Sequence, residues 1–167
     1  MNRYLLDTNF VSELRKNKPH GAVLEWFSGL QETQISLSAV TLGELQAGVE
    51  VTRRQNVAKA EQIEQWLESL AESYLILPMD AVCFREWARL MNGKPDRLLQ
   101  DAMIAATARV HQLVVASRNE RDFTQLTVQI FNPFTSELVQ PSRILSRTRG
   151  FCCAKLSPTP DAHVCRH

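Results

Sequence analysis

Long apolar runs are absent from this chain of 167 residues. No stretch approaches the roughly 20 residues that a membrane-spanning helix needs. The first run, Tyr4-Leu5-Leu6, is cut short by Asp7, well under the apolar core of about 7–15 residues in a secretory leader. No membrane association is expected, and the expected compartment is the cytoplasm. Cysteine is scarce: of four in the chain, Cys83 alone falls before residue 135. That excludes the disulfide framework of a small secreted domain. A strong excess of one charge is also lacking, since the formal net charge is +1. Bulk electrostatics therefore does not draw this chain to nucleic acid; such binding would need locally placed Arg and Lys, or a metal.

What remains is an ordinary globular composition, 44% apolar and 22% charged, at a length that suits one core. The charge is unevenly spread. Residues 135–167 hold five basic and two acidic side chains, leaving 14 basic and 16 acidic in 1–134. The character changes after Phe131-Asn-Pro-Phe134: Pro141, Gly150, Pro158 and Pro160 interrupt a segment without periodicity. Residues 1–134 are expected to form the folded domain, and 135–167 a disordered or loosely packed extension.

Within 1–134, short apolar runs alternate with helical patterns. The runs at 3–6, 34–38, 74–77, 113–116 and 127–131 predict buried parallel strands. Val23, Leu24, Phe27 and Leu30 predict a helix over 20–30. Ser38 is placed to cap a helix reaching about Thr52. Ala60, Ile63, Trp66, Leu67 and Leu70 form the apolar stripe of a helix over 56–72. Asp80 can cap 81–91, which is expected to bury Phe84, Trp87, Ala88 and Met91. A further helix, about 98–111, is apolar on most sides from Ala102 to Ala108. Alternation of this kind predicts an α/β protein, a parallel sheet of about five strands between helices. Reactive groups in such sheets collect at the carboxyl ends of the strands.

Four acids fall at that edge. Asp7 ends the first strand, with Asn9 placed either to orient it or to cap a helix starting near Phe10. Glu44 lies among Val40, Thr41, Ala47 and Gly48; Gly43 and Gly48 each cost a helix about 1 kcal/mol and suggest close approach of something. Asp101 opens Asp101-Ala-Met-Ile-Ala-Ala-Thr-Ala108 in a helix's first turn, on the face of Ile104, Ala105 and Ala108. Asp122 follows the fourth strand by a short turn containing Ser117 and Asn119. Carboxylates gathered together repel unless protons or a cation intervene, and oxygen-rich sets suit Mg²⁺ or Mn²⁺. Taken singly, each acid also has an ordinary explanation as a turn, a solvated helix face or a helix-dipole partner.

Leu6-Asp7-Thr8-Asn9, Thr41-x-x-Glu44-Leu45, Asp101–Ala108, Ser117-Arg-Asn119-x-x-Asp122-Phe123 and Phe131-Asn-Pro133, in that order, resemble a PIN domain of the VapC toxin type over about residues 1–134. The resemblance implies the three-layer α/β/α fold of that family. It implies an endoribonuclease dependent on Mg²⁺ or Mn²⁺, cutting tRNA or rRNA, with Asp7, Glu44, Asp101 and Asp122 as the acidic set. Asp7, Asp101 and Asp122 would hold the metal, with Glu44 as ligand or water-orienting base. Asn9, Ser117 and Asn119 would support them, and Arg118 and Arg121 are the nearest RNA-binding candidates, with Lys94 and Arg97 behind them. The family implies a homodimer and silencing by a cognate antitoxin, for which Val11, Leu14, Val23, Leu24 and Phe27 are possible contacts beside their ordinary role in a core.

Other readings fit less well. A phosphatase of the haloacid dehalogenase type needs a second Asp where Asn9 stands, and a late Lys where none lies between Lys94 and Lys155. An inactive PIN scaffold would not need all four acids. A zinc site from Cys152, Cys153, His163, Cys165 and His167 lacks the paired spacing of such sites.

Overall fold

Strand alternation in the first five residues already sets up two layers. Leu5 faces one way, with Val115 of a neighbouring strand; Tyr4 and Leu6 face the other, with Ala116. The computed structural model describes residues 2–135, so the proposed extension and its zinc reading lie outside the described residues. Five strands form one parallel sheet: β1 Tyr4–Leu6, β2 Ile35–Ser38, β3 Leu75–Leu77, β4 Val114–Ala116 and β5 Ile130–Phe131. Their order is β3-β2-β1-β4-β5. The chain winds outward from β1 through β2 to β3, then returns to the other side of β1. The winding therefore reverses between β1 and β4, where open parallel sheets present a crevice. Register places Leu6 opposite both Leu37 and Ala116.

The helices are α1 Thr8–Leu14, α2 Gly21–Ser28, α3 Ala39–Arg53, α4 Val57–Ser73, α5 Ala81–Met91, α6 Leu99–Val110 and α7 Glu120–Gln125. One side of the sheet packs against Phe10, Val11 and Leu14 of α1, Val23 of α2, and Leu67 and Leu70 of α4. The other packs against Leu90 of α5, the buried stripe of α6 and Phe123 of α7. This is the three-layer α/β/α arrangement expected from the alternation. Residues Ala102 and Ile104 to Ala108 of α6 are all buried, as their near-continuous apolar sequence requires. Among the described residues, no helix is long and apolar enough to cross a membrane.

Several expectations need correction. The first helix starts at Thr8, not Phe10, because the Asp7 carboxylate accepts from Thr8 N at 2.7 Å and acts as the cap; Asn9 lies inside the helix. In α5 the Asp80 cap is as expected, bonded to Cys83 N, but the phase differs. Cys83 and Leu90 are buried, whereas Phe84 and Ala88 are exposed. The face turned to α6 runs through Cys83, Trp87 and Leu90, and Phe84 stacks edge-on to Trp87 at its border. The last strand spans two residues only, since Thr127 adopts a positive φ of 52° that ends the preceding turn. A Cβ on Gly43 or Gly48 would meet nothing within 4 Å, so neither glycine marks a close approach among the described residues. Val11, Leu14 and Val23 are core residues; of the five apolar positions weighed as partner contacts, Leu24 is exposed and Phe27 half-buried.

Candidate functional site

The site grows out of the β1/β4 register. Because Leu6 pairs with Ala116, the next residues, Asp7 and Ser117, emerge side by side. Asp7 N donates to Ala116 O at 3.1 Å, and the Ser117 hydroxyl donates to Asp7 Oδ2 at 2.6 Å. Ser117 Oγ also accepts from Asn119 N at 2.9 Å, which shapes the turn into α7. Asp7 is 2% exposed. Burial pushes its carboxyl above the ordinary value, against the opposing pull of Ser117, Thr8 and Asn9. Asn9 thus sits beside Asp7 and orients it, while its side chain remains exposed.

Thr8 couples the second acid to the first. Its backbone N–H serves Asp7, and its hydroxyl donates to Glu44 Oε2 of α3 in a very short hydrogen bond. Helix α3 is fixed at its start by Ser38, which caps Val40 N, and by the Thr41 hydroxyl, which reaches Leu6 O at 3.4 Å.

On the far side, the Asn119 side-chain amide bridges the remaining pair. Its Nδ2 donates to Asp101 Oδ2 at 3.1 Å and to Asp122 Oδ2 at 3.0 Å. Asn119 was expected to support the site or to cap α7. It stands at the cap position without a side-chain capping bond, its amide being spent on the two carboxylates.

Asp101 records the convergence. Its pKa is pushed up to about 6, first by burial and then by the negative charges of Asp7, Asp122 and Glu44, with Arg97 pulling the other way. Three acids, from α1's cap, α3 and α7, therefore act on the fourth carboxyl, that of Asp101 on α6. Asp122 behaves in the opposite sense: the Arg97 guanidinium, with Asn119 assisting, holds it below the usual carboxylate range. Among the described residues, no three His, Cys, Asp or Glu side chains are grouped so that together they could hold a metal ion. Mg²⁺ does not require such a group, since it keeps several waters and takes only one or two carboxylates directly. The donor set is all oxygen. Asp101 Oδ1 and Glu44 Oε1 accept no bond from the described residues. These residues fit such an ion.

The basic candidates divide. The Arg118 side chain lies over the Phe134 ring, 5.3 Å from its centroid, and its charge acts on Glu13. Arg121 is exposed. Arg97, behind them on sequence grounds, is the one that contacts an acid of the site, Asp122.

A PIN-domain family model matches residues 4–128. This chain belongs to the PIN-domain family. The match runs from β1 through α7 and takes in all four acids. The chain is 35% identical over 138 residues to Toxin FitB of Neisseria gonorrhoeae, spanning 78% of this chain and 97% of that protein. It is 34% identical over 138 residues to VapC ribonuclease Y4jK of Sinorhizobium fredii, spanning 78% and 96%. Among solved structures it is similar to FitAcB from Neisseria gonorrhoeae, with a TM-score of 0.72 at 32% identity, covering 79% of this chain and 99% of that one.

Sequence reasoning missed two residues of this PIN-domain site and one buried acid outside it. Thr8 was read only as part of a turn; its position between Asp7 and Asn9 gave no hint of a bond to a residue 36 positions away. Gln125 was not noticed, although its Nε2 donates to Asp122 Oδ1 at 3.3 Å. Glu13 reads as a solvated helix residue but is 6% exposed. It accepts from Lys16 Nζ at 2.6 Å and His20 N at 3.0 Å, clamping the connection between α1 and α2. The neighbouring His20 ring packs on Phe134, in keeping with a structural histidine.

Proposed function

We propose that this PIN domain is a metal-dependent endoribonuclease, the toxin of a toxin–antitoxin pair, which hydrolyses phosphodiester bonds in tRNA or rRNA. The observation that carries the reading is the mutual influence of Asp7, Glu44, Asp122 and Asp101 at the crevice between β1 and β4. Relatives named as a toxin and as a ribonuclease support it, and the VapC-type resemblance adds the antitoxin and a homodimer as the expected partners.

Asp7 and Asp101 are the residues that would hold Mg²⁺ or Mn²⁺, with Glu44 as a further ligand or as the base that orients water. When bound, such an ion lowers the pKa of a bound water and neutralises charge developing on the scissile phosphate. The chain's own groups do the rest. Ser117 and Thr8 N fix the Asp7 carboxylate from two sides, so it needs no reorganisation. Thr8 holds the Glu44 side chain at the same crevice, where it can orient an attacking water. Asn119 links Asp101 and Asp122 by donating to one oxygen of each. In-line attack would leave a 5′-phosphate and a 3′-hydroxyl.

The test is incubation of the purified chain with total RNA plus Mg²⁺ or Mn²⁺, beside EDTA and Asp101→Asn controls, followed by sequencing of new 5′ ends. Discrete metal-dependent cuts absent from the variant are expected. Equal cutting by Asp101→Asn would overturn the reading, and no cutting with no Mn²⁺ binding would favour an inactive scaffold.

A further inference from the structure

Asp122 differs from the other three acids in what its oxygens already hold. Arg97 Nη1 donates to Oδ1 at 2.5 Å, Gln125 Nε2 donates to the same oxygen at 3.3 Å, and Asn119 Nδ2 donates to Oδ2 at 3.0 Å. Both lone pairs of Oδ1 are therefore used. Asp101 Oδ1 and Glu44 Oε1, by contrast, accept nothing from the described residues. A cation on Asp122 Oδ1 would have to displace a guanidinium, and Oδ2, which keeps one lone pair, is already turned to Asn119.

Arg97 is held as deliberately as Asp122. It lies on a 3₁₀ turn, Asp96–Leu98, that leads directly into α6 and hence to Asp101. One terminal nitrogen is fixed by Asp122 and the other by Gln125 Oε1 at 3.2 Å, both on α7. Yet 52% of the side chain stays open to solvent. Its charge reaches Asp101, opposing the acids there, so it stands at the rim of the carboxylate cluster. A guanidinium anchored along one edge keeps further N–H donors, in a planar fork that suits phosphate oxygens. A crevice lined by four acids repels a polyanion, and a substrate strand needs a fixed positive group beside it. Arg118 does not supply one among the acids, because it lies over Phe134 beside Glu13.

We propose that Asp122 is a positioning residue and not a metal ligand: with Gln125 it holds the Arg97 guanidinium at the rim of the site to take a backbone phosphate of the RNA adjacent to the scissile one. This rests on the nuclease reading above for the identity of the substrate. It separates the four acids by role, with Asp7 and Asp101 for the cation and Asp122 for the strand.

Two binding measurements test it on the full chain: retention of labelled bulk tRNA on filters, in EDTA and in Mg²⁺, and Mn²⁺ binding followed by the electron paramagnetic resonance of the free ion. The proteins are the parent, Arg97→Ala, Arg97→Lys, Asp122→Asn, Asp7→Asn and the Arg97→Ala/Asp122→Asn double variant. We expect Arg97→Ala to weaken tRNA binding about 5- to 10-fold, with Arg97→Lys in between, because one phosphate contact is lost or loosened. Asp122→Asn should keep Mn²⁺ affinity within about threefold, whereas Asp7→Asn loses it. In the Asp122→Asn background, Arg97→Ala should change tRNA binding by less than about twofold, since the arginine has lost its charged anchor and is held by Gln125 alone. The proposal is overturned if Asp122→Asn loses Mn²⁺ as Asp7→Asn does, if Arg97→Ala binds tRNA like the parent, or if the two substitutions act independently. Failure of the nuclease reading looks different: Arg97-dependent tRNA binding by a parent protein that takes up no Mn²⁺ and cuts no RNA.

Discussion

Replacing Asp101 with Asn should stabilise the protein in the absence of metal, and the size of the gain follows from the site. A carboxyl whose pKa rises from 3.8 to about 6 on folding carries a penalty of at most about 3 kcal/mol in its ionised form, reduced by solvent screening because Asp101 is only half-buried. Against this, the acid sits in the first turn of α6, where the helix dipole returns about 0.3–1 kcal/mol to a negative charge. The amide keeps an acceptor for Asn119, so that bond is not lost. The net gain for Asp101→Asn is then about 2 kcal/mol, or about 4–8 °C in melting temperature for a chain of this size. The pH dependence has a fixed sign. The folded pKa lies above the unfolded one, so the folded state binds more protons between pH 3.8 and 6. The contribution of Asp101 to the parent's stability therefore falls as pH rises through that window, and its penalty is complete above about pH 6. The variant lacks that titration. Urea unfolding in EDTA, followed by circular dichroism at pH 7.5 and at pH 4, should give the full gain at the higher pH and little at the lower. A variant less stable than the parent at pH 7.5, or an equal gain at both pH values, would refute the reasoning.

Further outcomes follow from the same contacts. Saturating Mg²⁺ at pH 7.5 should raise the melting temperature of the parent by binding the folded state alone, and leave Asp7→Asn unmoved; scanning fluorimetry with and without EDTA checks this. Ser117→Ala leaves the buried Asp7 without its side-chain donor and should cost about 1–3 kcal/mol of stability, measured by urea unfolding, together with a fall in RNA cleavage. Thr8→Val keeps the backbone bond to Asp7 but releases Glu44, so cleavage rates should fall about tenfold or more, with a change in melting temperature too small to account for it. Phe10→Ala opens a void among Trp26, Phe27 and Phe134, which stack around a fully buried ring, and should cost about 3–5 kcal/mol.

Much of this was legible in the order of residues. The strands are short and bounded by turn formers, so β1 to β4 appear within a residue or so of their observed limits. Ser38 and Asp80 announce their helices because capping is local chemistry, read within three residues. Asp7, Glu44 and Asp101 stand out because each interrupts an apolar context, whereas Asp122 lies in the polar run Ser117–Asp122 and is legible only through its place after the fourth strand. What could not be read is whatever depends on distant partners. The phase of α5 is set by its packing on α6, which local periodicity does not contain. Glu13 is buried because Lys16 and the His20 backbone return to it across a loop. Arg97 and Asp122, 25 residues apart, meet only because α6 and α7 pack together. Asn119 looks like a cap, and the competing demand of two carboxylates for its amide exists only in three dimensions.

The parallel pairing of β1 with β4 has a temporal side. The Asp7 carboxylate and the Ser117 hydroxyl that holds it are 110 positions apart. During synthesis at about 5–20 residues per second, the innermost strand of the sheet waits roughly 5–20 s with one edge unpaired. The nascent chain already contains Asp7, Glu44 and then Asp101, but no crevice for them to line. The site is complete only with β4 paired to β1, since that pairing places Ser117 beside Asp7 and Asn119 and Asp122 follow it in the chain. A ribosome-bound fragment ending before residue 113 should therefore be inert, whatever the completed chain does to RNA.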